Sequence, residues 1–355
     1  KLQKGIDCFL AVFLLVTIFA FGYKTISESW EPLYNSARYL SRLKTYMPED
    51  YDALDLLTAR IRSVEDQLNE VLWHKTELGD LMEQFVSLEG HFNRYLMIGG
   101  FPELVLSDDD VYAQRMLRED VVDKVIKRDV LTLFNIRSPL LMEKLFLYLC
   151  MNSTEIFSVT TAAKELENTS VSTVESYITA LQMSNLIYLS KPVNVGSKGA
   201  LKGKPKIYIA DAAIRNAVLM VDDILSDEKE LGAMVETAVY KHILSFYQGC
   251  TAQIGYFRKA KDNQKEVDVV VELPRQKILC EVKYRNNSHI PASDAIVELC
   301  RDKESKVTDA FIITKRLEDF GIAQHETNVP VFRVPAIVFL YLLGEAEANG
   351  QQGRL

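Results

Sequence analysis

The sequence predicts a mixed α/β protein built in series. An N-terminal helical region comes first, then a winged helix-turn-helix, then a mixed sheet flanked by helices. Three observations predict it. Apolar residues recur at helical spacing through much of residues 54–134, three helix patterns and two short strand patterns follow in 139–210, and apolar strand runs mix with helices from Leu231 onward.

The bulk numbers narrow the function classes. A chain of 355 residues is long enough for two or three cores, and 48% hydrophobic with 25% charged residues is ordinary globular composition. The formal charge of −8 argues against an overall basic coat for nucleic acid, while leaving room for local basic patches. Cys8, Cys150, Cys250, Cys280 and Cys300 are scattered without a Cys-x-x-Cys pair. That favours a reduced, cytoplasmic setting with neither a disulfide framework nor a zinc site. The five histidines are equally dispersed.

Residues 1–30 form an apolar segment. Cys8 to Tyr23 is almost wholly apolar, with Lys1 and Lys4 before it and Lys24 after it. A spanning helix needs roughly 20 such residues, and this run is shorter. Membrane association through residues 8–23, a buried element of a missing upstream domain and a signal-type hydrophobic region all stay open. The chain opens on Lys1 rather than Met, so a fragment is one expectation.

Residues 31–135 read as the helical region. Leu54, Leu57, Ile61, Val64, Leu68, Val71, Leu78, Met82 and Phe85 keep a heptad spacing, interrupted by Lys75 and loosened by Gly79. A long helix is expected, packed on its own domain or paired in a coiled coil. Tyr95 to Glu103 ends a helix at a glycine pair closed by Pro102. Helical pattern resumes from Val111 to Phe134, with a mixed charge run that suits a solvated face.

Residues 136–228 read as the winged helix. Helices are expected at Leu140–Cys150, at Ser158–Leu166 and along the stripe Val171, Val174, Ile178 and Leu181, before strands Leu186–Leu189 and Lys206–Ile209. The loop between those strands carries Lys191, Lys198, Lys202, Lys204 and Lys206 with no acid among them, which suits phosphate contact. Ser170, Ser172, Thr173, Ser176 and Thr179 on the third helix lack the Arg, Asn or Gln that reads bases, so sequence-specific recognition is not expected.

Residues 229–345 read as the α/β domain, and 346–355 as a polar tail. Helix Leu231–Tyr247 precedes strands Ile254–Lys259, Val267–Glu272 and Ile278–Tyr284. Helix Ala292–Cys300, strands Ala310–Thr314 and Val331–Val334, and helix Ile337–Leu343 follow. Strand alternation puts Glu281 and Lys283 on one face, with Asp268 near the start of the preceding strand. The helix places Glu236 on its buried face.

Two carboxylates and an ammonium at a hairpin suit a hard cation and an activated water, as phosphodiester hydrolysis requires. Asp268, Glu281 and the carbonyl of Val282 are the candidate magnesium ligands. Lys283 is the candidate to orient or deprotonate the water or to stabilise the phosphorane, and Glu236 completes the set. Arg258, Lys259, Lys261 and Lys265 lie where a phosphate backbone would run. The simpler alternative for Glu281 and Lys283 is an ion pair on one strand face. Gly199 to Pro205 and Gly22 to Thr25 both miss the spacing of a nucleotide-binding P-loop, so this chain is not expected to bind ATP by that route.

Helix Glu, strand Asp and strand Glu-x-Lys in that order resemble the restriction-endonuclease-like, PD-(D/E)xK, nuclease superfamily. The wider order is Gly-Gly-Phe-Pro-Glu at 99–103, Arg128-Asp129, the winged helix, Ile209-Ala-Asp211, Leu231 to Glu236, Tyr256 to Arg258, Glu266 to Asp268 and Glu281 to Lys283. Over about residues 92–343 it resembles the C-terminal half of a family of prokaryotic AAA-type ATPases. The resemblance implies an upstream or partner ATPase, ATP only where such a domain exists, and Mg²⁺ at the nuclease-like site. DNA or another nucleic acid is the implied partner, with homo-oligomerisation a further expectation. Residues 1–90 carry none of the ATPase motifs. Three functions are expected on these grounds: a magnesium-dependent nuclease, a non-catalytic DNA-binding or regulatory module, and a membrane-tethered interaction protein.

Overall fold

In a computed structural model, the described residues are 85–134, 136–193, 203–221, 224–259 and 265–348. The apolar segment 1–30, the heptads from Leu54 to Met82, Lys198, Lys202, Lys261 and the tail from 349 lie outside them. Residues 88–355 form one compact unit. Among the described residues, no helix is long and apolar enough to cross a membrane.

The architecture of this unit is mixed α/β with a helical N-terminal part. Helix α1 ends at residue 98, and α2 (Pro102–Val105) and α3 (Asp110–Arg118) come after it. Asp109 caps α3 by accepting the Tyr112 N–H at 2.9 Å. The chain then winds as a wider π-helix over Glu119–Val130. Helices α4 (Pro139–Met151), α5 (Val159–Glu165) and α6 (Val171–Met183) come next, with Ser138 and Ser170 capping α4 and α6. Strands β1 (Ile187–Pro192) and β2 (Lys206–Ile209) complete a helix–helix–helix–strand–strand order.

After α7 (Ala212–Leu219) and α8 (Glu228–Phe246), the chain forms β3 (Gln253–Arg258), β4 (Glu266–Glu272) and β5 (Lys277–Lys283). Helix α9 (Ala295–Arg301), β6 (Asp309–Thr314), the two-residue β7 (Gly321–Ile322), β8 (Val331–Pro335) and α10 (Ala336–Ala348) close the unit. Among the described residues, eight strands join one sheet, in the order β2-β1-β3-β4-β5-β6-β8-β7. Its centre mixes antiparallel β3-β4-β5 with parallel β5-β6-β8.

The sheet continues where the sequence suggests a boundary. Strand β1 pairs antiparallel with β2 at Ser190 and Lys206, then parallel with β3 at Lys191–Gly255 and Pro192–Tyr256. The first core is equally continuous across residue 135, since Ile98, Leu104, Leu117 and Ile126 share it with Met142, Phe146, Val174 and Ile187. The segment boundary at 135 therefore falls inside one core, whereas beyond 228 Val267, Val270, Leu279, Ile296 and Ile312 form a second cluster under the same continuous sheet.

The Gly-Gly-Phe-Pro-Glu motif has a structural role here. Gly99 has φ +77, and a Cβ there would lie 2.9 Å from Asp211 Oδ1. Only glycine enters that conformation without steric cost. Asp211 in turn caps α7 by accepting the Ala213 N–H at 2.9 Å, and pairs with Lys241 of α8 at 2.5 Å. Tyr95 of α1 meets His242 of α8 through its hydroxyl at 2.9 Å. Two motifs about 110 residues apart thus meet at one helix junction.

Candidate functional site

Strands β4 and β5 are rich in Val, Ile and Leu, and a Pro-containing turn joins them, so they pair antiparallel in the buried middle of the sheet. Their alternation puts Glu266 and Asp268 on one face of β4, and Glu281 and Lys283 on one face of β5. The Asp268 N–H donates to Glu281 Oε2 at 3.2 Å, and the Val282 N–H donates to Asp268 Oδ2 at 2.9 Å. Lys283 forms an ion pair with Glu281, and its Nζ lies 3.6 Å from Asp294 Oδ2 at the start of α9. Glu236 on α8 joins them, accepting the Tyr208 hydroxyl at 2.8 Å. The structure therefore brings Asp268, Glu281, Lys283 and Glu236 into one buried polar cluster.

At the centre of that cluster stands Lys206. It is 3% exposed, and its Nζ lies 3.1 Å from Glu236 Oε1, 2.5 Å from Glu266 Oε1 and 2.9 Å from Asp268 Oδ1. The ammonium also sits 5.8 Å from the centre of the Tyr256 ring, in the range of a cation–π contact. The expectation that Lys206 contacts nucleic acid is thereby corrected. A lysine enclosed by three carboxylates and an aromatic ring presents no charge to a phosphate outside.

The electrostatics follow from burial. Burial alone would lower the Lys206 pKa, but the Asp268 and Glu236 carboxylates prevail and hold it well above the usual lysine value. Burial pushes Glu236 up to about 7, with Asp268 adding to the rise and Lys206 opposing it. Glu281 is raised for the same first reason, with Asp268 adding and Lys283 opposing. Lys283 is raised because Glu281 outweighs burial. Both lysines therefore stay charged, and Glu236 titrates near neutrality.

A pH dependence follows with a definite sign. A carboxyl whose pKa rises from 4.5 to about 7 on folding holds its proton more firmly when folded. Its effect is to lower stability as pH climbs from about 4.5 to about 7, by at most about 1.4 kcal/mol per pH unit. Glu236→Gln removes this contribution. Urea denaturation between pH 5 and pH 8 should therefore show a shallower fall in the variant than in the wild type. Equal slopes would mean that Glu236 titrates normally.

The magnesium implied by the nuclease resemblance does not fit this donor set as it stands. Its expected ligands are engaged: Asp268 Oδ1 holds Lys206, Asp268 Oδ2 holds the Val282 N–H, and Glu281 holds Lys283 and the Asp268 N–H. Among the described residues, no group of three or more His, Cys, Asp or Glu is arranged to hold a metal ion.

The expected phosphate contacts fare unevenly. Lys204 is exposed, and its backbone carbonyl accepts the Tyr256 hydroxyl at 2.6 Å. Arg258 is half-buried, with Nε 3.8 Å from Glu266 Oε2. Lys259 pairs with Glu298 at 3.0 Å, and Lys265 meets the same carboxylate. On α6 the exposed face carries Ser172, Glu175, Ser176 and Thr179, so it offers an acid and no base.

The sequence reading assigns Lys206 to a phosphate-contacting loop rather than to this site, and does not assign Tyr208, Glu266 or Asp294 at all. A signal for the first lay in Lys206-Ile-Tyr-Ile209. That run lacks the polar alternation of a half-exposed strand, and a lysine in a strand buried on both faces must be paired.

Comparison with known proteins places two family models on adjacent stretches. A domain of unknown function (DUF8612) matches residues 89–224. A second domain of unknown function (DUF4143) matches residues 231–334, and this domain often occurs at the C-termini of AAA ATPase-like proteins. An uncharacterized protein of Haemophilus influenzae is 20% identical over 220 residues, covering 61% of this chain and 51% of its own length. The chain thus spans about half the length of the curated relative it matches.

Proposed function

We propose that residues 88–355 are a non-catalytic module of nuclease-like fold that regulates an AAA-type ATPase supplied upstream or by a partner. One observation carries this reading: the Lys206 ammonium sits within 3.1 Å of Glu236, Glu266 and Asp268 and engages one oxygen of each, including Asp268, whose carboxylate cleavage would need. The DUF4143 match over residues 231–334 supports the ATPase association. The pairing of Lys259 and Lys265 with Glu298 gives little support to a wide phosphate-binding surface.

A magnesium-dependent nuclease is the second reading, and a specific feature favours it. Glu236, Glu266, Asp268, Glu281 and Asp294 outnumber Lys206, Lys283 and the more distant Arg258, so the site holds excess acid. Incubating the purified chain with supercoiled and single-stranded DNA and Mg²⁺ separates the two. The non-catalytic module leaves both substrates intact over hours. Nicking that disappears in Asp268→Asn would establish the nuclease instead.

A further inference from the structure

We infer that Lys206 occupies the position a divalent cation would take, so that this protein carries an internal ammonium in place of a metal. The inference rests on the non-catalytic reading above and gives it a structural cause. Three carboxylates on two elements, Glu236 of α8 and Glu266 and Asp268 of β4, each aim one oxygen at the Nζ, at 3.1, 2.5 and 2.9 Å. Oxygen donors converging from separate elements also hold hard cations, but here they enclose an ammonium and, among the described residues, are not arranged as a metal-holding group. The ammonium and a metal ion would compete for the same oxygens, so one excludes the other.

Other contacts hold these carboxylates in place, the Tyr208 hydroxyl meeting the same Glu236 Oε1 that faces Lys206. Asp268 Oδ2 accepts the Val282 N–H at 2.9 Å, Tyr208 donates to Glu236 at 2.8 Å, and Lys283 engages Glu281. Lys206 is delivered by β2, which belongs to the winged-helix part of the chain, whereas Glu236, Glu266 and Asp268 belong to the stretch matched by DUF4143. One stretch therefore supplies the cation that closes the acidic site of the other.

The test is a Mn²⁺ titration monitored by electron paramagnetic resonance and by thermal melting, on the whole chain. Wild type, Lys206→Met, Lys206→Gln and Lys206→Met with Asp268→Asn are compared. The expected result is a Mn²⁺ site in the Lys206 variants at least tenfold tighter than any in the wild type. That site should raise their melting temperature and vanish with Asp268→Asn. A folded Lys206 variant that gains no site overturns the inference. If neither variant folds even with Mn²⁺, the wild-type titration decides: binding lost in Asp268→Asn overturns the inference, and its absence upholds it. Such binding without DNA cleavage would overturn this inference alone, whereas Asp268-dependent cleavage would overturn the proposed function as well.

Discussion

Replacing Lys206 with methionine is expected to destabilise the folded chain by about 3–5 kcal/mol at pH 8, the usual cost of removing one partner from a buried ion pair. Methionine keeps the length and apolar stem of the side chain, so little of the loss comes from a cavity. The cost arises because Glu236, Glu266 and Asp268, all within 3.1 Å of Nζ, lose their common cation in a buried setting. Those carboxyl groups can escape by taking up protons, so the penalty should shrink as pH falls toward 5. Urea denaturation at pH 8 and pH 5 checks both the size and the direction. A loss below about 1 kcal/mol at pH 8, typical of exposed pairs, would mean that the cluster is solvated.

Replacing Gly255 with valine is expected to cost about 1–3 kcal/mol through overpacking, and to loosen the join between β1 and β3. A Cβ at Gly255 would stand 2.0 Å from the Lys191 carbonyl oxygen and 2.6 Å from Val193 Cγ2. The first of these atoms is backbone, so no rotamer change relieves the contact, and the strands must separate. The Val193 N–H that donates to the Tyr256 carbonyl at 2.8 Å is then the sensitive probe. Its hydrogen exchange should accelerate well beyond that of Val269 or Leu279 in the sheet centre. Unchanged stability and unchanged exchange at Val193 would show that β1 and β3 do not depend on this close approach.

Much of the site was legible because its chemistry is local. Asp268, Glu281 and Lys283 stand on strands whose alternation alone assigns their faces, and Glu236 lies one helical turn before the buried Val239 and Tyr240. The order of helices and strands was readable for the same reason, with ends shifting by a few residues where caps decide. Asp294, for example, starts α9 at Ala295, three residues after the position expected from hydrophobic pattern. The role of Lys206 was not legible in this way. Its loop neighbours Lys202 and Lys204 suggested a solvent-facing basic run, and only the pairing of β1 with both β2 and β3 carries it inward. Likewise Gly99 read as a helix end, while its contact with Asp211 depends on packing between elements far apart in the chain.

The coupling between Lys206 and Asp268 tests the closed site most directly. Unfolding free energies are measured at pH 8 without divalent cations for the wild type, Lys206→Met, Asp268→Asn and the double variant. If the ammonium is the cation of the site, Lys206→Met should cost at least about 1 kcal/mol less once Asp268 is neutral, within the range seen for residues in one network. Losses that add to within about 0.5 kcal/mol would show that Lys206 and Asp268 act independently, and would contradict the closed site.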